Sequence, residues 1–174
     1  MRPSISIPLV LGALGLAAIA SGCRDNLDAE VTNLCPDPVV FQASVSPYLE
    51  RRCGTLDCHG AGARPLRLYG RYGLRHPEES NVTGGAATTD KEKLANYFSV
   101  CNVDAEKMHE IARNGNVADE SLLITKARGA ENHKGGKVVN ATNDTGNDCL
   151  LGWLAGADQA KVDAACSAAI EQLE

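Results

Sequence analysis

The residues Cys53-Gly54-Thr55-Leu56-Asp57-Cys58-His59-Gly60 set two thiols with four residues between them and an imidazole directly after the second. Three groups able to bond a metal or a carbon electrophile therefore leave one short turn. Ahead of them, from Val39 to Arg52, the apolar residues Val40, Phe41, Val45, Tyr48 and Leu49 recur at helical spacing. A helix with one buried face delivers the chain into Cys53, and Pro47 splits it or starts a new one. Behind them, Gly54 to Arg75 is rich in Gly and Arg, with Leu66 and Leu68 alternating about Arg67. That pattern reads as a loop with a short extended piece.

The pattern further along is helical with long interruptions. Residues 76–89 are rich in Gly and Thr and read as a surface loop. Asp90 is placed to cap a helix through Cys101 with Leu94, Tyr97, Phe98 and Cys101 on one side; Asp104 is placed to cap another through Arg113 with Met108, Ile111 and Ala112, ended by Gly115. Ser121 to Lys126 is a short helical piece, and Arg128 to Thr145 is polar, Gly-rich and irregular. Leu150, Leu151, Trp153 and Leu154 make residues 147–157 a packing helix, while Val162, Ala165, Cys166, Ala169, Ile170 and Leu173 give residues 159–173 an amphipathic one. The fold class is mainly α with long irregular loops, without internal repeats or low-complexity tracts.

With 174 residues the chain suits one domain, and its 44% hydrophobic content includes only two Phe, one Trp and four Tyr. Its interior must be filled mostly by Ala, Leu and Val; a buried prosthetic group suits this composition without being required by it. The formal charge is −5, which argues against a nucleic-acid binder. Seven Cys point to an oxidising compartment. The N-terminus supports that address: Met1-Arg2-Pro3 precedes an apolar run from Ile5 to Ala20, which closes on Ala20-Ser21-Gly22-Cys23. The run is shorter than the ~20 residues that span a bilayer, so it reads as a secretory signal. Small residues leading into a Cys resemble the lipobox of bacterial lipoproteins, although Ala20 stands where a large apolar residue is usual. On that resemblance residues 1–22 are a lipoprotein signal peptide and Cys23 is lipidated; Asp25, Asp28, Glu30, Pro36 and Pro38, with little apolar pattern, make residues 23–38 read as the lipidated Cys and a flexible tether, and residues 39–174 are the domain. Arg24, in place of the retaining Asp, points to the periplasmic side of the outer membrane. Ordinary cleavage, with Cys23 in a disulfide, is the alternative.

The order Cys53, Cys58, His59 resembles the haem-attachment box of c-type cytochromes, in which two thiols form thioethers with the haem and the adjacent His binds its iron. The common box has two residues between the cysteines and this one has four. The extra residues must bulge outward, and Thr55 and Asp57 suit such a turn. The match extends to Val45-Ser46-Pro47-Tyr48-Leu49, Pro65-Leu66-Arg67-Leu68, Glu120-Ser121-Leu122-Leu123, His133-Lys134-Gly135-Gly136, and Leu150 with Trp153-Leu154-Ala155-Gly156-Ala157. The chain thus resembles a monohaem cytochrome c-like domain of bacterial envelope lipoproteins. The resemblance implies covalent haem c on Cys53 and Cys58, His59 as proximal iron ligand, and residues 39–52 and 147–157 packed beside the haem. It further implies one-electron transfer with redox partner proteins of the envelope, and membrane attachment through the lipid only. His133, in a His-x-Gly-Gly segment, is the first choice for the sixth ligand and Met108 the second; His76 and His109 read as solvated. Arg64, Arg67, Arg71 and Arg75 are candidates to pair with haem propionates, or form a solvated positive stripe.

Other readings of the same residues remain open. A local Cys53–Cys58 disulfide makes the chain a cofactor-free, disulfide-stapled lipoprotein serving as a binding or structural module. A zinc site on Cys53, Cys58, His59 and a fourth ligand is a further reading. An open iron site, should His133 not bind, brings in sensing or peroxidase chemistry. If Cys53 and Cys58 hold haem and Cys23 holds lipid, then Cys35, Cys101, Cys149 and Cys166 suffice for two disulfides with three connectivities. Cys149 with Cys166, stapling the last two helices, is the first choice. No G-x-S-x-G, H-E-x-x-H, phosphate loop or dinucleotide fingerprint occurs, so nothing points to a hydrolase or nucleotide enzyme.

Overall fold

A computed structural model describes residues 34–174; the signal segment and Cys23 lie outside the described residues. Asp37 opens the first helix, its carboxylate accepting from Val39 N at 2.6 Å and Val40 N at 3.2 Å. Pro38 follows at a position that needs no N–H partner. Helix α1 (residues 38–52) comprises Pro38–Val40, a π-helical stretch Phe41–Val45, and Ser46–Arg52. Pro47 has no N–H to donate and its ring crowds the preceding turn. The wider π stretch directly upstream absorbs that mismatch, so Pro47 opens the last segment without breaking the helix.

The remaining elements are α2 (Asp90–Val103), α3 (Ala105–Arg113), a 3-10 turn (Gly115–Glu120), α4 (Leu122–Ala127), α5 (Thr145–Leu154) and α6 (Gln159–Glu171). Among the described residues there is no strand, only an isolated bridge between Tyr69 and Leu74. The mainly α class with long loops is therefore as expected. Among the described residues no helix is long and apolar enough to cross a membrane.

Phe41 organises the core, with its ring 5.5 Å from Tyr97 and 4.9 Å from Trp153. Trp153 is buried and donates from Nε1 to Asp37 O at 2.9 Å. Disulfide Cys149–Cys166 joins α5 to α6 as expected, and Cys35–Cys101 ties the segment before α1 to the end of α2. The second disulfide, together with the Asp37 contacts, corrects the domain boundary: residues 35–38, expected in the tether, belong to the fold. Closing a loop of 66 residues removes much of the unfolded chain's freedom, which is what makes this tie stabilising.

The register of α2 also differs from expectation. Thr89, not Asp90, caps the helix, in a reciprocal box with Glu92. Its buried residues are Glu92, Asn96, Val100 and Cys101, while Leu94 and Phe98 are 40% and 54% exposed. Polar partners drive this choice. Asn96 accepts from Tyr69 N at 2.6 Å and donates to Tyr69 O at 2.8 Å and to Ser46 Oγ at 3.2 Å. Arg75 lies buried across Glu92, donating from Nε at 2.7 Å and Nη2 at 2.8 Å. The same guanidinium donates to the carbonyls of Val82, Ala86 and Ala87. Arg75 is thus no part of a solvated stripe; it fastens the loop of residues 76–89.

Glycine is required where this loop region crosses itself. A Cβ on Gly60 would stand 2.1 Å from Gly54 O, closer than any real contact. Gly60→Ala is expected to lower stability by at least about 1–3 kcal/mol, the ordinary range for overpacking, as measured by urea unfolding. An unchanged midpoint would mean that the crossing is not formed.

Candidate functional site

Cys53 ends α1, its N–H donating to Leu49 O at 2.8 Å. The chain then folds on itself: Cys58 N and Gly60 N donate to Thr55 O at 3.0 and 2.9 Å, and His59 N donates to Cys53 O at 2.8 Å. The four residues between the thiols are thereby looped out, with Leu56 and Asp57 exposed at the tip. His59 is returned to the helix end. Both thiols are free and half-buried, in contrast to the four disulfide cysteines. Burial pushes the Cys53 thiol up to about 12, opposed by Arg52 and reinforced by Cys58, so it is protonated at neutral pH and a slow nucleophile.

His59 Nδ1 lies 2.9 Å from Leu66 O. A carbonyl only accepts, so Nδ1 carries the proton and Nε2 keeps its lone pair, the arrangement that second partners impose on metal-bound histidines. Leu68 N donates to His59 O at 2.8 Å and anchors this segment through the fully buried Leu68. Burial lowers the His59 pKa, aided by nearby His133 and Arg64 and opposed by the hydrogen bond to Leu66.

His133 is held in a matching way by a different device. Gly136 N donates to His133 O at 2.8 Å, closing a tight turn, and His133 Nδ1 lies 2.8 Å from Gly136 O. Gly136 has φ +72°, a left-handed conformation that a side chain would strain. The loop is anchored at its far end. Arg52 Nη2 donates to Val138 O at 2.7 Å, and Val138 and Val139 donate to Ala127 O at 2.8 and 3.1 Å. The result is that the His59 and His133 rings face one another, nearly parallel at 7°, with centroids 5.9 Å apart.

Cys53, Cys58, His59 and His133 are therefore brought together, and the other candidates are not. Met108 is fully buried on α3 within the apolar core. His76 packs on Tyr69 with centroids 5.2 Å apart and accepts from Glu78 N. His109 accepts from Leu34 N at 3.4 Å. Arg64 donates to the main-chain oxygens of Cys58 and Asp57 at 3.1 and 3.2 Å, and Arg67 to Gly62 O at 2.7 Å. Two surface recesses, one bordered by Ser44 and Asp163 and the other by Arg51 and Tyr72, share no residue with the site.

Sequence reasoning missed three parts of this arrangement: Leu66 O, Gly136 O and the Arg52 clamp. The first carries no signal, since every residue offers a carbonyl, whereas the Gly135-Gly136 pair does mark the turn that supplies the second. Among the described residues no group of three or more His, Cys, Asp or Glu side chains is arranged to hold a metal ion. An iron held in a porphyrin asks the protein for only two axial ligands. Two imidazoles with Nδ1 engaged and two unjoined thiols supply donors of the kinds such an iron would take.

The His59 environment has a consequence for the chain free of any ligand. Its pKa is below the ordinary 6.5, so as pH falls through 6.5 the unfolded chain takes up a proton before the folded one does. Stability is fully present above pH 6.5 and declines below it, toward the lowered folded value. His59→Gln is expected to flatten this part of a Tm against pH profile; an unaltered slope would locate the titration elsewhere.

No family model matches the chain, and no curated protein or solved structure matches it.

Proposed function

We propose that this chain is a monohaem c-type cytochrome that passes single electrons between proteins of the cell envelope. The observation that carries the reading is the His59–His133 pair, parallel and 5.9 Å apart, with each Nδ1 turned to a main-chain carbonyl, next to the free Cys53 and Cys58. Cys53 and Cys58 would hold haem c through thioethers, and His59 and His133 would bind its iron through Nε2. When bound, the haem supplies a one-electron Fe(II)/Fe(III) couple, and two imidazoles favour a lower potential than a Met ligand would.

The chain's own residues do the rest. Leu66 O and Gly136 O fix both rings in the tautomer that leaves Nε2 unprotonated, and burial disfavours the imidazolium at His59. Disulfides Cys35–Cys101 and Cys149–Cys166 suit an oxidising envelope. Lipidation at Cys23, with residues from 24 onward as the tether, would hold the domain at the periplasmic side of the outer membrane. The cytochrome c-like character of the fold belongs to this same proposal. A cofactor-free, disulfide-stapled binding or structural module is the second reading; the two disulfides are compatible with it, but the Cys53–Cys58 bond expected for it is not formed.

The test is axial: in protein matured with haem, the ferric form should be low-spin with two imidazole ligands by electron paramagnetic resonance, and carbon monoxide should not bind readily to the ferrous form. A high-spin ferric iron that binds carbon monoxide on reduction would instead favour an open site with sensing or peroxidase chemistry.

A further inference from the structure

Residues 129–139 carry His133 without a core of their own. All of residues 129–137 are exposed except the half-buried His133, and the first buried side chain after Ala127 is Val139. Hydrogen bonds therefore place this loop, and most of them are local. Ala130 N and Glu131 N donate to Thr125 O at 2.9 and 3.3 Å, Val138 N and Val139 N donate to Ala127 O, and Gly136 N donates to His133 O. Lys126 Nζ donates to Glu131 Oε2 and to Asn132 O, both at 3.2 Å. These bonds fold the loop back on α4 and do not tie it to the thiols. Among the described residues one side chain from outside residues 125–139 hydrogen-bonds the loop: Arg52, whose Nη2 donates to Val138 O at 2.7 Å. Arg52 is the last residue of α1 and is peptide-bonded to Cys53.

We infer that Arg52 is the positioning residue for His133: its bond to Val138 O holds the loop to the Cys53 end of α1 and sets the fraction of molecules in which His133 stands opposite His59. The inference rests on the electron-transfer reading above and adds its regulation, since with haem bound that fraction is the one in which both imidazoles reach the iron. A hydrogen bond from a charged donor is stronger than a neutral one. Arg52 is nevertheless exposed, and a loop fastened by a few exposed bonds opens on its own, ahead of global unfolding. A small ligand that binds only the open state meets an affinity reduced by the open fraction. Arg52 thus decides between a filled site that only passes electrons and an open one that takes up a ligand. Among the described residues Nη2 alone of its guanidinium is engaged, so the loop requires one long donor and not a two-pronged fork.

The test compares the full chain as wild type, Arg52→Gln, Arg52→Lys and Arg51→Gln, each expressed with and without cytochrome c maturation. Gln is too short to reach Val138 O, Lys keeps one long donor, and Arg51 is the neighbouring cation that reaches Tyr72 and Glu174 instead. In the haem-free chain, amide hydrogen exchange of residues 134–139, read by mass spectrometry, should rise about tenfold in Arg52→Gln, the loss of one charge-assisted bond. It should stay near wild type in Arg52→Lys and Arg51→Gln, with α5 unchanged throughout. In the haem-loaded chain, ferrous Arg52→Gln should bind carbon monoxide about tenfold more readily than wild type, and Arg52→Lys should recover the wild-type response. The proposal is overturned by unchanged exchange in Arg52→Gln, by an equal rise in Arg51→Gln, by failure of Arg52→Lys to recover, or by a rise that extends through α5 and so marks loss of the fold. The exchange measurement needs no haem. A chain that shows the expected exchange pattern but never takes up haem would defeat the electron-transfer reading alone; a haem-loaded chain whose Arg52→Gln variant behaves as wild type would defeat the role of Arg52 alone.

Discussion

Glu92→Gln is expected to destabilise the fold by about 3–5 kcal/mol, the cost of leaving one member of a buried ion pair uncompensated. The Arg75 and Glu92 side chains are only 5% and 0% exposed, with the guanidinium bidentate on the carboxylate. Burial raises the Glu92 carboxyl, but hydrogen bonds from Arg75, Thr89 N and His76 N more than offset it and hold it below the usual carboxylate range. A carboxyl lowered on folding stabilises fully above its unfolded pKa, and that contribution is lost as pH falls through its folded value. The variant should therefore show both a lower urea midpoint and a shallower acid limb. Because Arg75 also donates to three carbonyls of residues 82–87, Arg75→Met should be at least as damaging. A loss under about 1 kcal/mol in both variants would mean that the pair behaves as an exposed one.

His133→Ala carries the largest expected effect on the proposed chemistry. Its ring is the one that faces His59, whereas Met108 sits fully buried in the core. Removal should convert a low-spin ferric centre to high-spin and open the ferrous form to carbon monoxide, with little change in folding because the His133 loop is half-exposed and anchored independently by Arg52 at Val138 O. His133→Met should restore six-coordination and raise the reduction potential, since a thioether favours ferrous iron. If His133→Ala leaves the spectrum untouched and Met108→Ala does not, the axial assignment passes to Met108.

What could be read directly from the chain depended on how local its cause is. Helices α1, α3, α5 and α6 announced themselves through apolar periodicity, and the Cys149–Cys166 bond through the proximity of two adjacent helices. Helix α2 did not, because its buried face is chosen by Glu92 and Asn96. Their partners Arg75, Tyr69 and Ser46 come from distant sequence, and a hydrophobicity pattern does not register polar satisfaction. The domain boundary was missed for a similar reason: Asp25, Asp28, Pro36 and Pro38 read as tether composition, while Cys35 and Asp37 act through Cys101 and Trp153, more than sixty residues on. In the candidate site, Cys53, Cys58, His59 and His133 were legible as residue types. The two carbonyls that orient the rings were not, since main-chain acceptors leave no mark in a sequence.

The most direct test of the central claim is the intact mass, under denaturing conditions, of the full chain expressed in a periplasm competent for cytochrome c maturation. The expected result is a mass increase of one haem that survives denaturation and disappears when Cys53→Ala and Cys58→Ala are combined. A mature chain without haem, in which Cys53 and Cys58 resist alkylation until reduced, would contradict it and leave a disulfide-bonded protein in place of a cytochrome.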